Sequence, residues 1–258
     1  MRILVCGAGG FIGHNLAKFL VGKGHWVRGV DLKKPEFEPS PAHEFTITDL
    51  RQWRNCLMAT RDIEQVYQLS ADMGGIGYIT GWHAEIARSN VLINANMLEA
   101  CRVNGVSRVL FSSSACVYPQ YRQGNADIAG LKEEDAYPAD PEEGYGWEKL
   151  FAEKLYQYYR EDYGLSTCVV RLHNVYGQLG TYEGGREKAP AALCRKLALA
   201  QEGDEIEVWG DGKQTRSFLY IDDCLEGLYL AMNSNHNGPI NLGSEELVTV
   251  DELVDKNS

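Results

Sequence analysis

Short apolar runs recur along the chain as far as residue 171, at 2–6, 26–31, 64–70, 107–113 and 167–171. Between them lie longer stretches, near 11–22, 84–103 and 146–163, where apolar residues return at the spacing of one helix face. Strand, helix and strand in alternation require right-handed crossovers, and so predict an α/β fold with a doubly wound, mostly parallel Rossmann sheet. After residue 172 the pattern loosens. A polar, Gly-rich loop (178–186) precedes a helix expected near 189–201, and a short strand is expected at Glu207-Val208-Trp209. These elements read as a smaller lobe over the carboxyl edge of the sheet. Segment 217–233 reads as a return to the main domain. The two lobes therefore interleave, 1–172 with 217–233 against 173–216 with 234–258. No internal repeat and no linker-like stretch separates them.

Composition narrows the class. With 258 residues, 44% hydrophobic and 24% charged, and 27 Gly against 8 Pro, the chain suits one large domain or a domain with a smaller lobe. Low-complexity disorder, collagen and a disulfide-stapled miniprotein are excluded. No apolar run approaches the ~20 residues of a membrane helix. Met1 leads straight into the first strand, which leaves no room for a signal peptide and makes the cytoplasm the expected location. Against 25 basic residues stand 36 acidic ones, a formal net charge of −11. Such a chain is repelled by nucleic acid and by anionic lipid, so neither is an expected partner. An anionic small ligand has to be held by local cations and backbone amides. The seven cysteines (Cys6, Cys56, Cys101, Cys116, Cys168, Cys194, Cys224) are scattered without CxxC spacing, which predicts reduced thiols, six of them buried for packing, and no metal. His14, His25, His43, His83, His173 and His236 show no ligand spacing either.

Gly7-Ala8-Gly9-Gly10-Phe11-Ile12-Gly13 follows the first expected strand directly and opens the first expected helix. In that place Gly7 permits a tight turn, Gly10 lets a pyrophosphate approach the backbone, and Gly13 lets helix pack on strand. The amides of Phe11 and Ile12, at the helix N-terminus, then face the phosphates. Asp31 closes the second strand, where a carboxylate accepts hydrogen bonds from the adenosine ribose and repels a 2′-phosphate. That favours NAD over NADP as the cofactor, although Lys33 and Lys34 soften the repulsion. At the next turn, Asp49-Leu50 either reaches the adenine or supplies the cap of a helix beginning at Leu50.

Tyr145 and Lys149 stand four apart, on one face of an expected helix. A tyrosine near pKa ~10 is too weak a base at neutral pH by roughly 4 kcal/mol. An adjacent ammonium and the positive charge of an oxidised nicotinamide offset that gap by stabilising the phenolate. Ser114, in the strand-end cluster Ser112-Ser113-Ser114-Ala115-Cys116, would hydrogen-bond the oxygen that Tyr145 deprotonates.

The glycine loop, Asp31, Ser114, Tyr145, Lys149 and Arg171-Leu172-His173-Asn174-Val175-Tyr176-Gly177 together resemble the extended short-chain dehydrogenase/reductases that modify nucleotide sugars. Within that family, four stretches resemble the GDP-mannose 3,5-epimerases: Leu69 to Gly77, Ser113-Ser114-Ala115-Cys116-Val117-Tyr118-Pro119, Gly184 to Ala192, and Trp209 to Phe218. Cys116 and the Gly-Gly-Arg-Glu-Lys-Ala-Pro run are the discriminating parts. The resemblance implies NAD as cofactor and a nucleotide-diphosphate sugar, GDP-mannose, as substrate. It implies that Tyr145 removes the C4 hydroxyl proton as NAD takes the C4 hydride, and that the C4 ketone acidifies C3 and C5. Cys116 and Lys188 match the family's acid/base pair. Gly74, Ser114, Ala115, Asn174, Glu187, Ala189, Lys196, Gln214, Thr215 and Arg216 match its substrate contacts, with Arg216 the best single phosphate cation. A homodimer through the helices near 84–103 and 146–163 is also implied. Family members continue beyond the position of Ser258, which makes the smaller lobe a truncated one in this chain. Two other readings remain. The first is another nucleotide-sugar enzyme: a 4-epimerase needs no pair beyond Tyr145, and a 4,6-dehydratase usually carries Asp-Glu where this chain has Ala115-Cys116. The second is a non-catalytic NAD-binding module.

Overall fold

The computed structural model describes residues 1–74, 76–123, 130–185, 187–201, 203–206, 212 and 215–255. The first half runs β1 (Arg2–Cys6), α1 (Phe11–Gly22), β2 (Trp26–Asp31), β3 (Glu44–Ile47), α2 (Trp53–Ala59), β4 (Gln65–Gln68), α3 (Ile76–Ile79) and α4 (His83–Val103). Then come β5 (Arg108–Ser114), α5 (Gln120–Gln123), α6 (Glu143–Tyr163), β6 (Ser166–Leu172), β7 (Val175–Tyr176) and α7 (Ala189–Leu199). The chain continues through β8 (Thr215–Ser217), β9 (Leu219–Tyr220), α8 (Ile221–Asn233), β10 (Pro239–Leu242), β11 (Leu247–Thr249) and α9 (Val250–Asp255).

Seven parallel strands form the central sheet in the order β10-β6-β5-β4-β1-β2-β3. This is the doubly wound α/β fold that the alternating pattern predicts. Both faces are buried, which is why the strands read as unbroken apolar runs. In β1, Ile3 and Val5 join a core with Leu16 and Leu20 of α1 and Leu225 and Leu228 of α8. Leu4 and Cys6 point the other way, toward Cys56 of α2, Met97 of α4 and Tyr156 of α6. Phe111 of β5 stacks on Tyr156 with ring centroids 4.7 Å apart.

The two sheet edges carry no such run. β3 is mostly exposed, and β10 opens on Pro239 with every residue half-buried, as suits an edge strand. Helix α6 begins at Glu143 rather than 146, and the strand expected at 207–209 lies outside the described residues. Strand order reverses between β1 and β4, so the carboxyl ends of β1, β4 and β5 open on one crevice, where a doubly wound sheet binds its ligands. Beyond the sheet, β8 pairs antiparallel with β11, and β7 pairs parallel with β9. No helix among the described residues is long and apolar enough to cross a membrane.

Candidate active site

Gly7 leaves β1 at φ +81°, a left-handed conformation that favours glycine. The Gly10 amide closes the turn on the Gly7 carbonyl at 3.0 Å. A Cβ on Gly13 would lie 2.1 Å from the Gly7 oxygen, so this close crossing of helix over turn excludes a side chain. Gly10 is the N-cap of α1 and offers no side-chain cap, which leaves the first-turn amides to a ligand. Asp31, at the end of β2, accepts the Gly9 amide at 2.9 Å on Oδ2 and the Lys33 amide at 3.1 Å on Oδ1. Its carboxylate is thereby fixed beside the glycine loop. These residues fit a dinucleotide: an open cradle, uncapped amides and a held acid.

Asp49 does not cap a helix. Its carboxylate takes the Arg51 amide at 2.9 Å and grips the Arg51 guanidinium at 2.9 and 3.0 Å, which holds its carboxyl below the usual range. Helix α2 starts later, with Gln52 as its cap. Leu50 is buried beside it.

Ser114 ends β5, and its Oγ accepts the Cys116 amide at 3.2 Å across a short 3₁₀ turn. Tyr145 is buried on α6. Burial pushes its hydroxyl pKa well up, the charges of Cys116 and Glu148 push the same way, and the Ser114 hydroxyl opposes them. Lys149 Nζ donates to the Ser112 carbonyl at 3.0 Å and lies 5.5 Å from the Tyr145 ring centroid. Burial lowers its pKa, and Glu148, Cys116 and Glu153 pull it back up. Glu148, also buried, accepts Asn90 Nδ2 at 2.8 Å on one oxygen while the other has no partner among the described residues. Asn90 in turn bonds both the amide and the carbonyl of Asp72, at 2.6 and 3.1 Å, and so fixes the loop that carries Gly74.

The Cys116 thiol pKa is raised by burial first, then by the charge of Glu142, while Ser114 and the charge of Lys188 lower it. Lys188 precedes α7 and is exposed at the cavity wall; enclosure by the surrounding protein lowers its ammonium, and Cys116 and Cys224 oppose that. Asn174, at φ +37°, donates to the Ser217 carbonyl at 2.9 Å and so ties the exit of β6 to β8. Arg216 of β8 is exposed, its Nη1 on the Thr215 carbonyl at 2.8 Å. Glu187 lies 3.9 Å from Arg195, and its other oxygen is buried without a partner among the described residues.

One cavity of about 2770 Å³ gathers these groups. Gly7, Gly10, Phe11, Ile12, Gly13, Asp31, Asp49 and Leu50 line one end. Gly74, Ser114, Ala115, Cys116, Tyr145, Lys149, Asn174, Glu187, Lys188, Ala189, Lys196, Thr215 and Arg216 line the remainder. Gln214 lies outside the described residues. A pocket for one small molecule is usually about 300–1,000 Å³, so a dinucleotide and a second ligand fit side by side. Among the described residues no cluster of His, Cys, Asp or Glu is arranged to hold a metal ion. All seven cysteines are free. Cys194 is exposed on α7 rather than buried, because it faces the cavity. The sequence reading also missed Glu142 and Arg51, which line the same cavity. Glu142, three residues before Tyr145, carries no motif of its own; its nearness to that tyrosine is the one signal that could have found it.

The sequence model of the NAD dependent epimerase/dehydratase family matches residues 3–243. The chain belongs to that family. It is an NAD-using enzyme, similar over nearly its whole length to GDP-mannose 3,5-epimerases. GDP-mannose 3,5-epimerase 1 of Oryza sativa subsp. indica is 47% identical over 99% of this chain and 67% of the relative. The Arabidopsis thaliana GDP-mannose 3,5-epimerase is 45% identical over 99% and 68%. Among solved structures, UDP-glucose 4-epimerase of Thermotoga maritima with UDP-glucose superposes with a TM-score of 0.88 at 27% identity, covering 99% of this chain and 81% of that one. The Thermus thermophilus UDP-glucose 4-epimerase in complex with NAD gives 0.83 at 26% identity, with 99% and 81% covered.

Proposed function

We propose that this epimerase inverts C3 and C5 of GDP-mannose through a transient ketone at C4. NAD supplies reversible hydride acceptance at C4, held by the 7–13 loop and Asp31, with Asp49 and Leu50 toward the adenine. Tyr145 takes the C4 hydroxyl proton, Ser114 orients the same oxygen, and Lys149 supports the phenolate against the burial that disfavours it. Cys116 and Lys188 exchange protons at the carbons flanking the ketone, one as base and the other as acid on the opposite face. Each positioned group of this kind typically contributes ~10²–10⁴ in rate. Gly74 and Ala115 leave room for the hexose. Asn174, Glu187, Ala189, Lys196, Gln214, Thr215 and Arg216 bind the rest of the nucleotide sugar, with Arg216 on the diphosphate. The first 172 residues with 217–233 serve as the NAD-binding domain; 173–216 and 234–258 serve as the substrate lobe, β10 lending an edge strand to the main sheet.

The observation that carries this reading is geometric: Cys116 and Lys188, 72 positions apart in sequence, line one cavity together with Ser114 and Tyr145. A simple 4-epimerase has no use for that pair. The decisive experiment incubates protein, NAD and GDP-mannose in deuterated water and reads C3 and C5 by NMR. Deuterium at both carbons, lost in Cys116→Ala, supports the reading. Exchange at C4 without label at either carbon would make the protein a 4-epimerase, and no cofactor reduction with any sugar nucleotide would make it a binding module.

A homodimer through α4 and α6 is part of the proposal. Trp147, Phe151 and Tyr158 on α6 and Leu92 on α4 are exposed apolar groups that a second copy would cover. A monomer in sedimentation at micromolar concentration overturns it. Seven unpaired thiols suit a reducing compartment, which supports a cytoplasmic location.

A further inference from the structure

Glu142 borders the thiol more closely than any reading of the motifs suggests. It occupies the N-cap position of α6, yet its side chain makes no cap there. Instead, its carboxylate stands close enough for its charge to raise the Cys116 thiol. The backbone holds the two residues together: the Glu142 amide donates to the Cys116 carbonyl at 3.0 Å, and the Gly146 amide donates to the Glu142 carbonyl at 2.8 Å. A Cβ on Gly146 would come within 2.3 Å of the Cys116 oxygen, so the first turn of α6 sits directly on the thiol-bearing turn. Both Glu142 and Cys116 line the cavity.

A carboxylate is an odd neighbour for a group that serves only as a base. Its charge disfavours the thiolate, against Ser114 and Lys188, which favour it; Tyr145 and Lys149 of α6 also feel the charge of Cys116. The arrangement makes sense if the thiol has to give its proton away again. Inverting one carbon leaves Cys116 as a thiol and Lys188 as a neutral amine. Inverting a second carbon while the ketone persists requires both to be reset.

We propose that Glu142 is the proton relay that resets Cys116 between the two inversions, an inference that rests on the 3,5-epimerase reading. The protons balance without any redox step. The thiolate removes the carbon-bound proton, and the Lys188 ammonium protonates the opposite face of the enolate. The new thiol then passes its proton to the Glu142 carboxylate, the carboxylic acid releases it to solvent, and the Lys188 amine regains one from solvent.

Glu142→Gln tests this, because the amide keeps the size and place of the carboxylate but cannot carry a proton. In deuterated water with NAD and GDP-mannose, the ratio of doubly to singly inverted product is expected to fall about tenfold. Glu142→Asp, which keeps a carboxylate, is expected to restore much of it. Without any sugar, the pH profile of Cys116 alkylation by iodoacetamide, read by peptide mass, is expected to move about one unit lower in Glu142→Gln, since a raising charge is gone. A product ratio and an alkylation profile both unchanged from wild type would overturn the relay. Label at neither carbon in the wild-type protein, with the alkylation shift present, would overturn the 3,5-epimerase reading while leaving the Glu142–Cys116 coupling in place.

Discussion

Arg171 holds Glu153 with two parallel hydrogen bonds, Nε to Oε1 at 2.9 Å and Nη2 to Oε2 at 2.7 Å, and both side chains are buried. The pair is a junction. Ser113 Oγ donates to Glu153 Oε1 at 2.6 Å, and Arg171 Nη1 donates to the Tyr118 hydroxyl at 3.0 Å and to the Glu133 carbonyl at 2.8 Å. It therefore fixes the carboxyl ends of β5 and β6 on either side of Ser114. Glu153→Gln or Arg171→Met leaves a buried charge uncompensated and is expected to cost about 3–5 kcal/mol, read as a fall in the urea midpoint. Glu153→Leu combined with Arg171→Met removes both charges and is expected to recover most of that loss. A single variant with an unchanged midpoint would show that the pair is not structural.

The glycine loop makes a contrast inside one helix. Gly13→Ala puts a methyl group 2.1 Å from the Gly7 oxygen, so turn and helix must separate where the phosphates are expected. NAD affinity is expected to fall about a hundredfold by calorimetry, since the amides no longer converge. Gly22→Ala, in the last turn of the same helix, meets nothing within 4 Å. It is expected to leave NAD binding intact and to add about 0.5–1 kcal/mol of stability. Equal effects from the two would contradict the steric argument.

Much of this was legible before any coordinates, for a physical reason. A parallel strand buried on both faces has to be apolar along its whole length, so β1 and β2 lie at the residues the pattern gave them. Edge strands escape that demand, and neither Glu44–Ile47 nor Pro239–Leu242 stands out in the sequence. The glycine loop was readable because its function depends on backbone shape. Side-chain pairings across the fold were not. Asp49 turns to Arg51 instead of capping α2, and Glu142 leaves α6 uncapped while its charge bears on Cys116. In both cases a local capping role competes with a partner, and spacing alone cannot decide between them.

Asp31 ought to govern the choice between the two nicotinamide cofactors. Its carboxylate is pinned by the Gly9 and Lys33 amides, so it cannot turn away from a ligand's ribose without breaking both bonds. A 2′-phosphate would meet that fixed negative charge. Asp31→Asn removes the charge and keeps an acceptor for one of the two amides, the two being held by different carboxylate oxygens. The ratio of NADP to NAD dissociation constants is expected to fall at least about tenfold. A ratio unchanged in the variant would move the discrimination elsewhere, with Lys33 the next residue to test.

The acid/base pair predicts a pH profile whose sign follows from what surrounds each group. The proposed chemistry needs Cys116 deprotonated and Lys188 protonated. Burial, joined by Glu142, pushes the thiol up, so the thiolate is lost as pH falls through a raised value and the acid limb starts higher than for a free thiol. Enclosure by the surrounding protein pushes the Lys188 ammonium down, although the residue is exposed at the cavity wall, so it is lost as pH rises through a lowered value and the alkaline limb starts lower than for a free lysine. The rate of deuterium uptake at C3 and C5 is therefore expected to trace a narrow bell on the alkaline side of neutrality. Lys188→Arg separates the limbs. A guanidinium does not titrate in this range, so whatever rate survives is expected to keep its acid limb and lose its alkaline decline. An alkaline decline that persists in Lys188→Arg would assign that limb to another group, with Tyr145 and Lys149 first in line, and would remove the lysine from the proton exchange.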